Sequence, residues 1–227
     1  MSSMLLRSMI TGAALAVLAA APASAAPVLS PPKRCYVAAQ EQQREFVTVD
    51  ATGFTPFAYV DIYLDNILYD SPRATYLGGL TGMVQAPFPQ TEQREFTLRL
   101  NERDNPVNTV SATTKVTQLT VEQLPAKAST DERVRFKGRG FTAATPIYAH
   151  YVFAGKSTRT VQLGMPTGDC GLFSIKRKQF PFKKSPRVGV WTIQFDQEQR
   201  YNPNAAVRVP LTIKVKRTIR PRRAQAR

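Results

Sequence analysis

Val134–Tyr151 reads VRFKGRGFTAATPIYAHY, and Val47–Leu64 has already read VTVDATGFTPFAYVDIYL. Both stretches alternate apolar and polar residues, break at Gly-Phe-Thr, and resume alternation after a proline. Gly53 and Gly140 are 87 residues apart, and the same offset places Val47 on Val134, Val49 on Phe136, Val60 on Ile147 and Leu64 on Tyr151. Further along, Glu95–Pro106 (EFTLRLNERDNP) echoes Val190–Pro203 (VWTIQFDQEQRYNP), with Thr97 on Thr192 at an offset of 95. Offsets that drift by a few residues are what loops of different length produce. The chain is read as a tandem duplication.

Each copy is built from period-2 runs such as FVTVDATGF, VDIYLD, FTLRL and VRVPLTIKV, rich in Val, Ile, Thr, Tyr and Phe. Alternation of this kind puts one face of a strand in a core and the other in water. Turn residues separate the runs, in FTPF, GGLTG, NERDNP and GMPTGDCG. No helical period of useful length is found after the first 25 residues. Several short strands per copy, each with one apolar face, predict an all-β protein of two antiparallel sandwiches. Trp191 falls on Phe96 at the 95-residue offset, so both are expected in cores.

A strand, then Gly-x-Gly-Phe or x-Gly-Phe-Thr-Pro, then a second strand, written here as ATGFTPFAYVDIYL and GRGFTAATPIYAHY, resembles the opening of bacterial immunoglobulin-like modules. These include the IPT/TIG type and the tandem repeats of secreted actinobacterial proteins. The resemblance implies two Ig-like sandwiches and export much more strongly than it implies any activity. Residues 1–25 read as a signal peptide, with Arg7 before an apolar run ending in Ala23-Ser24-Ala25. That run is too short to span a membrane, and no second one follows. Residues 32–121 and 122–217 are then the two modules, joined through Glu122–Lys127, and 218–227 form a basic tail.

Charge separates the copies. Residues 26–120 hold 8 Lys/Arg and 10 Asp/Glu, a balance of −2, whereas residues 121–217 hold 18 against 6, a balance of +12. Lys176, Arg177, Lys178, Lys183, Lys184 and Arg187 cluster around Phe180-Pro181-Phe182 and form a candidate anion-binding segment. For an exported protein the anions at hand are wall polymers, acidic glycans and lipid headgroups. Nucleic acid ranks below them. The competing reading gives these cations to solubility and leaves sheet edges or loops to hold a protein partner.

Catalytic signals are sparse. His150 is the single histidine and is expected on a strand at the sheet surface. No CxxC pair, phosphate loop or EF-hand spacing occurs, and Asp61, Asp65 and Asp70 match no calcium loop. The expectation is a non-enzymatic binding protein without cofactor or metal. Cys35 and Cys170 are the only cysteines. A disulfide between them is the first expectation in an oxidising compartment, with intermolecular pairing or two buried thiols as alternatives. Pairing is expected to require the modules to fold back on one another.

Overall fold

The computed structural model describes residues 26–217. The signal-peptide reading of 1–25 and the tail reading of 218–227 lie outside the described residues. All regular structure within them is strand. The first module contains β1 (Val28–Leu29), β2 (Cys35–Gln40), β3 (Gln43–Arg44), β4 (Phe46–Thr52), β5 (Val60–Leu64), β6 (Ile67–Asp70), β7 (Leu80–Gln85), β8 (Gln93–Glu102) and β9 (Thr109–Gln118). The second contains β10 (Thr120–Leu124), β11 (Arg133–Arg139), β12 (Ile147–Phe153), β13 (Lys156–Gly164), β14 (Phe173–Lys178), β15 (Gly189–Asp196) and β16 (Arg208–Val215).

In the first module a three-stranded sheet, β1-β4-β7, packs on a six-stranded one, β3-β2-β9-β8-β5-β6. Val47, Val49 and Ala51 of β4 point inward while Phe46, Thr48, Asp50 and Thr52 point out. Together with Ile62, Leu64, Phe96, Leu98 and Leu100 from the opposite sheet they form one core. The second module repeats the plan as β10-β11-β14 over β13-β12-β15-β16. Its core gathers Val134, Phe136, Ile147, Tyr151, Ile193 and Phe195. Phe96 and Trp191 are both buried, as the repeat register predicts.

The Gly-Phe hinge performs the same task twice. Gly53 and Gly140 have φ of 90° and 88°, a region closed to most side chains. That turn drives Phe54 and Phe141 into the end of each sandwich, where both are buried. A second glycine completes each device: the Phe54 amide donates to the Gly78 carbonyl at 3.1 Å, and the Phe141 amide to Gly171 at 3.3 Å. A Cβ on Gly78 or Gly171 would sit 2.1 Å from the carbonyl oxygen of Phe54 or Phe141.

Two expectations need correction. The module boundary falls at Leu119 rather than within Glu122–Lys127, because β10 begins at Thr120 and pairs with β11 of the second module. The alternating run KVTQLTV conceals this break. The disulfide does form, between Cys35 and Cys170 with their Cα atoms 5.2 Å apart, but the modules are not folded back to make it. β2 runs parallel to β9, pairing Cys35 with Lys115 and Ala38 with Gln118, and so accompanies the last strand toward the junction. The loops of the second module meet it there. Lys33 Nζ donates to Thr142 at 3.1 Å, Arg34 pairs with Asp169 at 3.4 Å, and Arg139 pairs with Glu92.

Candidate anion-binding face

The alternation of β11 decides what the second module shows to solvent. Val134 and Phe136 enter the core, leaving Arg133, Arg135 and Lys137 exposed on the outer face. Antiparallel register with β14 sets Lys178 opposite Arg133, Lys176 opposite Arg135 and Ser174 opposite Lys137. Five cations therefore share one face, with spacings of about 5 Å across strands and about 7 Å along them. Like charges set directly opposite one another destabilise a sheet by up to about 1 kcal/mol per pair. The one acid at an outward position of β10, Glu122, reaches Lys137 at 3.5 Å in an exposed pair.

At the 87-residue offset, Phe46, Thr48, Asp50 and Thr52 become Arg133, Arg135, Lys137 and Arg139. Across the sheet, Met83 and Gln85 of β7 occupy the places held in β14 by Lys176 and Lys178. Inward residues keep their apolar character while outward ones become basic. Solvation alone sets no such division, since Thr and Asp serve an outer face equally well.

The six cations singled out along the sequence do not act as one segment. Lys176 and Lys178 lie on the outer face, and Arg177, half-buried, points the other way. Arg177, Lys178 and Lys183 line a depression at the end of the sandwich. Lys184 and Arg187 are exposed in the β14–β15 loop, and neither lines that depression. Sequence reasoning missed Arg133, Arg135, Lys137 and Arg159, because three of them sit on another strand and the fourth on β13. The signal was available in ERVRFKGRG, where every second residue from Arg133 to Arg139 is basic.

His150 corrects a further expectation. It is fully buried rather than at the sheet surface. It lies on the outward side of β12, but the chain after β15 roofs that side, with Tyr201 tilted over the ring at 5.7 Å. Nε2 donates to Asp196 Oδ1 and to the Glu198 carbonyl, both at 3.0 Å, and Nδ1 lies 2.8 Å from the Thr160 hydroxyl, which can donate or accept. Asp196, also fully buried, accepts additionally from Gln194 Nε2 at 2.7 Å and the Glu198 amide at 2.9 Å. Both ring nitrogens are occupied, leaving neither for a ligand or metal.

The acidic stretch of the first module is likewise committed to the fold. Asp61 pairs with Arg103 at 2.8 Å, and that hydrogen bond holds its carboxyl below the usual range against the opposing effect of burial. Asp65 pairs with Arg94, and Asp70 accepts from the Ser71 amide. Among the described residues no group of three or more His, Cys, Asp or Glu is placed to hold a metal ion, and no helix is long and apolar enough to cross a membrane. No protein-family model matches the chain, and no curated protein matches it.

Proposed function

We propose that this is an exported, non-enzymatic protein of two Ig-like modules that binds an anionic polymer of the cell envelope on the outer face of β10-β11-β14. The order β10-β11-β14 over β13-β12-β15-β16 follows the ABE and C′CFG arrangement of immunoglobulin sandwiches, which supports the Ig-like reading. The buried Cys35–Cys170 bond is of the kind that persists in oxidising compartments, which supports export. One observation carries the binding site: duplication kept the core and replaced a neutral-to-acidic face by opposed pairs of cations. Their mutual repulsion is relieved when a polyanion displaces small counterions.

The test is retention on isolated cell envelope across a salt series. The wild type is expected to release steeply as salt rises. In Arg135→Gln/Lys137→Gln/Lys176→Gln/Lys178→Gln the log–log slope should fall by about one for each neutralised cation that had paired with the polymer. Unchanged retention by this variant rejects the site.

A second reading, capture of a protein partner by loops, is favoured by the opposite end of the molecule. There Phe57, Tyr76, Leu77 and Val107 are 63%, 69%, 75% and 88% exposed. Phe57 is also held at φ 62°, a strained backbone for an aromatic residue. This reading predicts salt-insensitive retention that Leu77→Ser/Val107→Ser abolishes.

A further inference from the structure

Five cations converge on the free end of the second module. Arg133 from β11, Arg159 from β13, Arg177 and Lys178 from β14, and Lys183 from the following loop border a depression of about 420 Å³ that Pro181 and Phe182 complete. No acidic residue lines it. Six cations elsewhere, Lys33, Arg34, Arg94, Arg103, Lys137 and Arg139, have carboxylate partners, whereas others, such as Arg135 and Lys176 on the outer face, stand apart in the sheet without one. Among the described residues, none of the five around the depression has one. Glu132, next to Arg133 in sequence, turns its carboxylate to the Ser129 amide at 3.0 Å.

The wall beside these cations is an aromatic cluster. Phe182 is packed against Tyr151, Trp191 and Phe180, with ring centroids 5.5, 5.4 and 5.8 Å apart. Trp191 is held in turn by its indole N–H, which donates to the Arg187 carbonyl at 2.9 Å. Three guanidiniums offer planar forks that match the oxygens of a phosphate, and two ammonium groups add charge without fixed direction. The depression is shallow and open, and it leaves room for a phosphate beside Phe182.

We propose that this depression is a binding site for a dianionic phosphate group. It rests on the polyanion reading, because the same module then engages the polymer along its face and a phosphate at its end. A phosphate monoester at a polymer terminus and a free phosphorylated small molecule share this chemistry.

The probe is inorganic pyrophosphate, titrated into the full-length mature protein at fixed ionic strength, with citrate as a carboxylate control. Trp191 is the only tryptophan, and its contact with Phe182 makes its fluorescence the reporter. Binding is expected to be saturable and stronger for pyrophosphate than for citrate. Arg159→Gln and Arg177→Gln should each weaken it about tenfold, the loss expected of a charge-assisted hydrogen bond. Lys183→Gln, in a loop outside both sheets, gives a further variant with no strand to disturb.

Arg135→Gln/Lys176→Gln should keep pyrophosphate binding while losing envelope retention, so failure of the face and failure of the end site are read separately. If pyrophosphate also releases the wild type from envelope at constant ionic strength, the site holds a polymer terminus. If it binds without releasing the protein, the ligand is a free phosphate compound. Absence of saturable binding, equal response to citrate, or no effect of all three pocket variants overturns the proposal.

Discussion

Cys35→Ala/Cys170→Ala is expected to cost about 4 to 5 kcal/mol, the chain-entropy value for a cross-link closing a loop of this length, the two cysteines being 135 residues apart. The loss has a particular form because the bond joins two modules whose cores are distinct apart from Val37 and Ala39, which reach from β2 to the second. The non-covalent junction combines polar contacts, among them Lys33–Thr142, Arg34–Asp169 and the Leu119 amide donating to the Ala38 carbonyl at 3.2 Å, with the packing of Val37 and Ala39 from β2 against the second core. Arg34 is 86% exposed at its side chain, so its ion pair contributes little. Without the bond, the modules should unfold independently.

Calorimetry should therefore resolve one transition in the oxidised protein and two in the variant, with the earlier one well below the wild-type midpoint. Reduction of the wild type should reproduce the variant. A variant that melts in one transition at the wild-type temperature would show that the junction holds without its cross-link.

How far the fold is legible in the sequence depends on which interactions are local. Val47, Val49, Val134 and Phe136 declare their strands and inward faces by alternation, which each strand carries within itself. The Gly-Phe hinge is legible because it recurs at a fixed offset. Gly78 and Gly171 are not, since their need for a missing side chain arises from the carbonyls of Phe54 and Phe141, more than 20 residues away in sequence. The basic face is half legible. Lys176 and Lys178 stand out as neighbours along the chain, but their pairing with Arg135 and Arg133 is a property of register across the sheet.

His150 escapes the sequence for the same reason. Alternation along IYAHYVF puts it correctly on the outward side of β12, but whether an outward side meets water depends on what covers it. The cover comes from Glu198 and Tyr201, about 50 residues later. For Cys35 the obstacle is topology: a strand running parallel to β9 brings it near the junction without the modules turning back.

Asp196→Ala is expected to destabilise the second module by about 1 to 3 kcal/mol, as leaving buried donors without their acceptor does. The carboxylate is fully buried and satisfied by three donors: His150 Nε2, Gln194 Nε2 and the Glu198 amide. Its removal leaves a cavity lined by these donors, each deprived of an acceptor. Gln194 keeps the Asn202 carbonyl at 2.7 Å and His150 keeps that of Glu198, which sets the lower end of the range. Asp196→Asn should cost less, since its oxygen still accepts while its amide faces one donor wrongly.

His150→Leu should also be costly, because it removes the Nε2 donor from the buried Asp196 and the ring's hydrogen bond with the Thr160 hydroxyl. If the pair acts as a unit, His150→Leu/Asp196→Ala should fall well short of the sum of the two single changes, as replacing both partners by apolar groups usually does. Denaturant unfolding of the second module, followed by Trp191, measures all four variants. A cost below about 0.5 kcal/mol for Asp196→Ala, the range of ordinary surface changes, would mean that the roof over His150 admits water and that the network does not hold the loop after β15 in place.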